Sequence, residues 1–135
     1  MDILKELLGL SARENKTKQV KLLNLSERAD KDMIFTVREL SYNEIKNIMD
    51  MARNNPTTDI KTQIVLRGVV EPNLKNAELL QHYNAPTPAE LLPKILNSGE
   101  ITDLNDVIQK LSGYGEIGAQ VQVIEQEAAE AVKKN

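Results

Sequence analysis

The chain has 135 residues and a net charge of −3, and its 41% hydrophobic and 27% charged residues are typical of one soluble globular domain. The absence of cysteine excludes a disulfide-stapled extracellular scaffold and thiolate metal sites, and it favours a reducing compartment such as the cytoplasm. With three Tyr, one Phe, no Trp and no cluster of Lys and Arg, the composition argues against nucleic acid as a partner.

The start of the chain lacks the features of an exported or membrane-anchored protein. Acidic Asp2 and Glu6 interrupt the leucines there, whereas a signal peptide has a basic start and a long apolar run. No segment contains the roughly 18 uncharged apolar residues that a membrane-spanning helix needs. We therefore expect no membrane partner, and a first region, residues 1–17, that holds a short helix over residues 2–8 and a polar linker.

The next segments predict two strands. Val20 and Leu22, with Leu25 as a further candidate, follow a period of about two, and residues 33–37 are rich in β-branched and aromatic side chains. The charged residues 26–32 have the length of a loose hairpin connection, which favours antiparallel pairing. The predicted fold class is therefore α+β, in which a β-hairpin over residues 18–40 packs on a mostly helical body of short helices.

From residue 41 the pattern becomes helical. Ser41 and Glu44 have the spacing of a capping box, and Pro56 should end that helix. A second helix is predicted from residue 58 or 59 to about residue 70, although residues 64–66 and 69–70 fit a strand equally well. Three further helices are predicted over residues 73–83, 87–96 and 103–111, the last opened by residues 99–102.

The last region, residues 114–135, predicts a C-terminal amphipathic helix after the glycine-rich stop at residues 112–115. Apolar residues recur there at steps of four and three, which is the spacing of a heptad-like seam. Such a seam either contacts a partner protein or docks on the body of its own molecule. The candidate partner-binding residues of this seam are Ile117, Val121, Ile124, Ala128 and Ala131.

No residue is predicted to be catalytic, to bind a cofactor or to bind a metal. His82 is the single histidine, which excludes a two-histidine metal site, and its position near a helix end favours an interaction with the helix dipole over general-base catalysis. The carboxylate pairs Glu125 and Glu127, and Asp103 and Asp106, fit solvated helix faces better than acid–base catalysis. We therefore predict that the chain is not an enzyme.

Three short stretches are distinctive when they are taken together: Phe35-Thr36-Val37-Arg38-Glu39-Leu40-Ser41, Val69-Val70-Glu71-Pro72-Asn73-Leu74, and Thr87-Pro88-Ala89-Glu90-Leu91-Leu92 with Gly99-Glu100-Ile101. In this order and spacing they resemble phage tail assembly chaperones of the XkdN-like type. In that family a strand runs into a helix after an Arg-x-Leu-Ser step, a Pro-Asn-Leu step follows a helix, and a Gly-Glu-Ile turn introduces the next helix. The resemblance covers about residues 18–113, which we define as a tail-assembly-chaperone-like domain.

The resemblance implies a non-structural phage or prophage protein of the host-cell cytoplasm that is absent from the finished virion. Such a protein coats the long hydrophobic tape measure protein and keeps it soluble until tail tube subunits polymerise around it. The alternative is a generic helical adaptor or regulator without a phage role. The sequence does not fix the oligomeric state, and a homo-oligomer is compatible with it.

The last residues, Lys133-Lys134-Asn135, add a hypothesis about a second partner. Many tail assembly chaperones are made in two lengths, the longer one after ribosomes slip near the end of the shorter frame. Lys-Lys-Asn can be encoded by AAA AAA AAC, on which paired tRNAs can shift back by one base. In this hypothesis a longer, frameshifted product recruits the tail tube protein, whereas the simpler interpretation is that basic residues favour a helix C-terminus.

Overall fold

The computed structural model describes residues 2–115, 120–122 and 124 of the chain. Within them, seven helices accompany one antiparallel three-stranded sheet, so the predicted α+β fold class is confirmed. In chain order the elements are α1 (Ile3–Leu8), β1 (Thr17–Lys21), α2 (Leu23–Ala29), β2 (Ile34–Arg38), α3 (Tyr42–Asn54), α4 (Ile60–Gly68), β3 (Val69–Glu71), α5 (Ala77–His82), α6 (Pro88–Ile95) and α7 (Ser98–Leu111).

The predicted N-terminal hairpin is formed by β1 and β2. Val20 pairs with Phe35 and Lys18 with Val37, in an antiparallel register. Side chains alternate between the two faces of a strand, and the burial of Phe35 and Val37 shows that this face of β2 is the one that packs on the helices. The hairpin therefore contributes an aromatic and β-branched layer to the core.

The connection between these strands is not the charged loop that we predicted. It contains α2, and Leu25 lies in this helix rather than in the first strand. The Leu25 amide donates a hydrogen bond to Glu100 Oε2 at 3.0 Å, and Arg28 donates one to the Ile95 carbonyl oxygen at 2.6 Å. Asp30, in the left-handed conformation (φ 54°), ends the helix. Contacts with distant parts of the chain thus stabilise a helix that the local pattern did not predict.

The segment that fitted both a helix and a strand contains one of each. Helix α4 ends at Gly68, and the β-branched pair Val69 and Val70 begins β3, which pairs with β2 on the side opposite β1. The sheet order is β1-β2-β3, so β1 and β3 are its edges in the described residues. The predicted hairpin is therefore part of a slightly larger sheet.

The core lies between the sheet and the helices α3, α4, α6 and α7. Helix α4 packs closely on α7 because Gly68 has no Cβ: a Cβ there would lie 2.8 Å from Cγ1 and Cγ2 of Ile108. The largest fully buried apolar side chains come from β2 and these four helices: Val37, Ile48, Ile64, Val65, Leu91, Leu92 and Ile108. One continuous core therefore joins residues from β2 to α7.

Two helix starts differ from the predictions because asparagine side chains cap them. Helix α5 begins four residues later than predicted, where Asn76 Oδ1 accepts a hydrogen bond from the Leu79 amide at 2.9 Å. Helix α7 begins at Ser98 rather than at residue 103, because Asn97 and Glu100 form a capping box. The capping box predicted for Ser41 and Glu44 is present at the start of α3.

The structure describes only part of the predicted C-terminal helix. Residues 120–122 and 124 lie in neither a helix nor a strand, so at these positions the structure differs from the prediction. Ile117, Ala128 and Ala131 lie outside the described residues. The division into residues 1–17, 18–113 and 114–135 remains a prediction.

Candidate protein-binding surfaces

The five residues of the predicted seam are not brought together by the described part of the structure. Val121 and Ile124 are 70% and 86% exposed, and the other three lie outside the described residues. Neither Val121 nor Ile124 docks on the helical body, so both are available for contact with a protein. The use of the full seam as a binding surface remains a prediction.

A second apolar surface lies on α1, where the sequence interpretation had placed only a short helix. Its apolar residues follow the spacing i, i+1, i+4 and i+5, which puts them on one side of a helix. All four are at least 60% exposed, and α1 buries none of its residues. This spacing was the signal that could have identified the surface from the sequence. We call it the α1 apolar face: Ile3, Leu4, Leu7 and Leu8.

Helix α1 begins at a well-defined cap and is followed by a linker that is fixed to the body. Asp2 Oδ1 accepts hydrogen bonds from the Leu4 and Lys5 amides at 3.1 and 3.4 Å. Further along, Arg13 donates to both carboxylate oxygens of Glu39, at 2.8 and 3.0 Å. The linker is therefore anchored to the body at Arg13, five residues after the end of α1.

Glu39 is the buried charge that receives this linker. Its side chain is buried at the end of β2, and the Lys16 amide donates a hydrogen bond to its Oε1 at 2.8 Å. This bond, with the Arg13 guanidinium, keeps the pKa of Glu39 below its ordinary value. The carboxylate thus stays ionised and joins the linker, β1 and β2 at one point.

A third surface is a groove of about 200 Å³ between β1 and α7. Its two ends differ in charge. At the end near Leu22, Glu100 and Asp103 lie with Lys21, which is paired with Asp32, whereas a neighbouring depression at the other end is lined by Lys16, Lys18 and Lys110. Its floor is largely apolar. We call it the β1 groove, and its apolar lining consists of Val20, Leu22, Leu23, Leu104 and Val107.

The perturbed carboxylates in the described residues belong to structural ion pairs rather than to a reactive cleft. Arg38 donates to both oxygens of Glu44, at 2.9 and 2.6 Å, which lowers the pKa of Glu44 to about 2. His82 packs edge-on against the Tyr83 ring at 4.7 Å between ring centroids. No three His, Cys, Asp or Glu side chains of the described residues are placed to hold a metal ion. The exposed apolar side chains of α1 and the apolar lining of the β1 groove are of the kind that protein contacts use.

The three surfaces belong to a chain whose sequence matches a known family. The family model of the phage XkdN-like tail assembly chaperone protein matches residues 4–132, nearly the whole chain. The chain belongs to this family. The resemblance found in residues 18–113 is thereby confirmed. The part of this tail assembly chaperone that the family model matches also includes most of α1 and much of the C-terminal region.

A solved structure shares the fold of the tail assembly chaperone. The crystal structure of the protein yqbn superposes with a TM-score of 0.60 at 18% sequence identity, over 85% of this chain and 98% of that one. No curated protein matches the sequence significantly. Among the described residues, no helix has the length and apolarity needed to cross a bilayer. Family membership favours a role in tail assembly over a generic adaptor without a phage role.

Proposed function

We propose that this tail assembly chaperone binds the tape measure protein through the α1 apolar face and keeps it soluble in the host cytoplasm while the tail tube assembles. The observation that carries the proposal is that α1 buries none of its residues while it exposes four large apolar side chains. Clustered apolar side chains of this kind mark sites of protein contact. An apolar face on a helix fits the long apolar helical segments expected of a tape measure protein.

The size of the α1 apolar face determines how tightly one copy binds. Full burial of an Ile or Leu side chain contributes about 1.5 to 3 kcal/mol, so four contribute about 6 to 12 kcal/mol. Association itself costs about 4 to 15 kcal/mol. One copy therefore binds weakly and reversibly, and a long partner is covered by several copies side by side. Weak binding suits a chaperone that leaves when tube subunits arrive.

The proposed role requires no catalysis. Binding and release of an apolar surface are driven by burial and by competition with tube subunits, not by a chemical step. Recruitment of the tail tube protein by a longer, frameshifted product remains a separate prediction. It concerns the coding DNA at residues 133–135 and not the α1 apolar face.

The proposal is tested with the full chain and the tape measure protein of the same phage. In one variant, Leu4→Ser is combined with Leu8→Ser, which removes half of the α1 apolar face. In the matched control, Lys5→Ser is combined with Glu6→Ser on the opposite side of α1. We expect the first variant to co-purify at least about tenfold less tape measure protein than the wild type, because each lost leucine contact removes about 1 kcal/mol or more.

The control should co-purify an amount close to that of the wild type. Both variants should unfold at the wild-type temperature, because α1 buries no residue against the body. Equal co-purification by both double variants would show that α1 is not the contact surface.

A further inference from the structure

The outer edge of β1 has backbone groups without partners in the described residues. The Leu22 amide donates to the Met33 carbonyl oxygen at 3.0 Å, and the Lys16 carbonyl oxygen accepts from the Glu39 amide at 2.9 Å. Even-numbered residues of β1 therefore direct their backbone groups towards β2, because these groups alternate along a strand. The groups of Thr17, Gln19 and Lys21 point outwards, and no described residue hydrogen-bonds to them. Such an edge can accept another strand.

The β1 groove runs along this edge and would receive one row of side chains from an added strand. Helix α7 flanks it and runs antiparallel to β1. At its beginning, Glu100 accepts the hydrogen bond from Leu25, and at its end Ser112 Oγ accepts one from the Leu40 amide at 2.8 Å. Val20 and Lys18 share the face of Phe35 and Val37, which is the face turned towards α7. The groove is therefore apolar near Val20 and basic near Lys16.

The chain itself contains a segment that matches this edge. Residues 119–125, Ala-Gln-Val-Gln-Val-Ile-Glu, alternate apolar and polar side chains up to residue 123 and contain β-branched residues, as strands do. The described positions of this segment lie outside any helix, and Val121 is 70% exposed. A strand donor and a strand acceptor are thus both exposed on one molecule.

The charges along the β1 groove favour an antiparallel added strand over a parallel one. In an antiparallel register with Val121 opposite Val20, position 123 lies opposite Lys18 and position 125 opposite Lys16. Glu125 then meets the cluster of Lys16, Lys18 and Lys110, and Val121 lies over the apolar part of the groove. A parallel strand would instead place Glu125 near Glu100 and Asp103, where like charges repel.

The same geometry indicates a second copy as the donor. Gln120 lies beside Gly113, directly after α7 and at the Lys16 end of β1. The antiparallel register places Gln120 opposite Lys21. Lys21 is five residues from Lys16 along β1, or roughly 17 Å at about 3.3 Å per residue. Gln120 of the same molecule therefore lies at the wrong end of the strand. Symmetric pairing of two β1 edges is disfavoured because it brings lysines of the two strands together.

We propose that residues 120–125 of one copy add to the free edge of β1 in a second copy as an antiparallel fourth strand, and that the chaperone self-associates in this way. The backbone groups of Gln120, Gln122 and Ile124 pair with those of Lys21, Gln19 and Thr17. Val121 and Val123 face the β1 groove. This inference does not depend on binding of the tape measure protein.

The test compares two adjacent substitutions by analytical ultracentrifugation of the full chain. Val123→Lys places a positive charge over the basic end of the groove, opposite Lys18, whereas Ile124→Lys places it on the opposite, solvent-facing side of the added strand. The wild type should self-associate. Val123→Lys should raise the dissociation constant for self-association at least tenfold, and Ile124→Lys should change it less than threefold. If the heptad-like seam were the contact surface instead, the substitution of Ile124, which belongs to the seam, would weaken self-association more than that of Val123, which does not. A larger effect at Ile124 would therefore overturn the strand pairing.

A mixing experiment tests the donor and the acceptor separately. Gln19→Pro removes an outward N–H from β1 without removing a hydrogen bond to β2, and circular dichroism checks that the variant folds. This variant lacks a competent acceptor edge, and Val123→Lys lacks a competent donor. Each should be monomeric alone, and an equimolar mixture should form a mixed complex. A monomeric wild type at about 100 µM, or a mixture that stays monomeric, would refute the proposal.

A charge exchange provides the same test without proline. Lys16→Glu and Glu125→Lys should each weaken self-association, and the two changes together should restore it to within about threefold of the wild type. Additive weakening in the double variant would count against the register. Leu4→Ser combined with Leu8→Ser on α1 should leave self-association unchanged, which separates this result from the proposed binding of the tape measure protein.

Discussion

At the residue scale, the ion pair between Arg38 and Glu44 makes the stability of the fold depend on pH. The pKa of Glu44 is lowered to about 2, first by the hydrogen bonds from Arg38 and then by the Ser41 amide, against the opposing effect of burial. A carboxylate with a lowered pKa contributes stability that is complete above its unfolded-state pKa and is lost as the pH falls towards its folded-state pKa. That window runs from about pH 4.5 down to about 2.

Glu44→Gln should therefore lower the free energy of unfolding at pH 7 and flatten its decrease between pH 5 and 2. The expected difference at pH 7 is about 1 to 2 kcal/mol, less than the full pKa shift implies because about a quarter of each side chain is exposed to solvent. Urea unfolding at several pH values measures both quantities. Parallel pH profiles for the variant and the wild type would show that the pair contributes nothing to acid sensitivity.

At the element scale, the elements that could be predicted from the sequence have their signals within a few residues. Strand β2 has a run of β-branched and aromatic residues, α3 has the capping box of Ser41 and Glu44, and α6 has Thr87 before a proline. Helix α2 could not be predicted in this way. Its N-terminal cap residue, Leu22, has no side-chain oxygen that could accept a hydrogen bond from the helix. The Leu25 amide instead donates to the carboxylate of Glu100, which lies 75 residues further along the chain.

Glu100→Ala should therefore loosen α2 as well as α7. The substitution leaves the Leu25 and Asn97 amides without their carboxylate acceptor, which costs about 3 to 6 kcal/mol for two hydrogen bonds to a charged group. Amide hydrogen exchange should become faster in α2, measured by mass spectrometry. The matched control is Glu90→Ala in α6, whose carboxylate receives a hydrogen bond only from the nearby Thr87 in the described residues. Unchanged exchange in α2 for Glu100→Ala would contradict this account.

At the scale of the whole molecule, the sequence indicated the family but not which apolar faces stay uncovered. The heptad-like seam and the α1 apolar face have similar local patterns, and a local pattern does not reveal whether a helix packs on its own body. Only the arrangement of the body shows that α1 is left exposed and that β1 has a free edge beside α7. The resemblance carried by residues 35–41, 69–74, 87–92 and 99–101 identified the family whose model matches residues 4–132.

The proposed chaperone role is tested most directly by the soluble fraction of the tape measure protein in cells. The tape measure protein is expressed alone, with the wild-type chain, and with the variant that combines Leu4→Ser and Leu8→Ser. Lysates are separated by sedimentation, and the tape measure protein in the supernatant is quantified. The wild-type chain should raise its soluble fraction several-fold, because the apolar segments are covered, and the α1 variant should lose most of this gain. A soluble fraction that is the same with and without the wild-type chain would contradict the account.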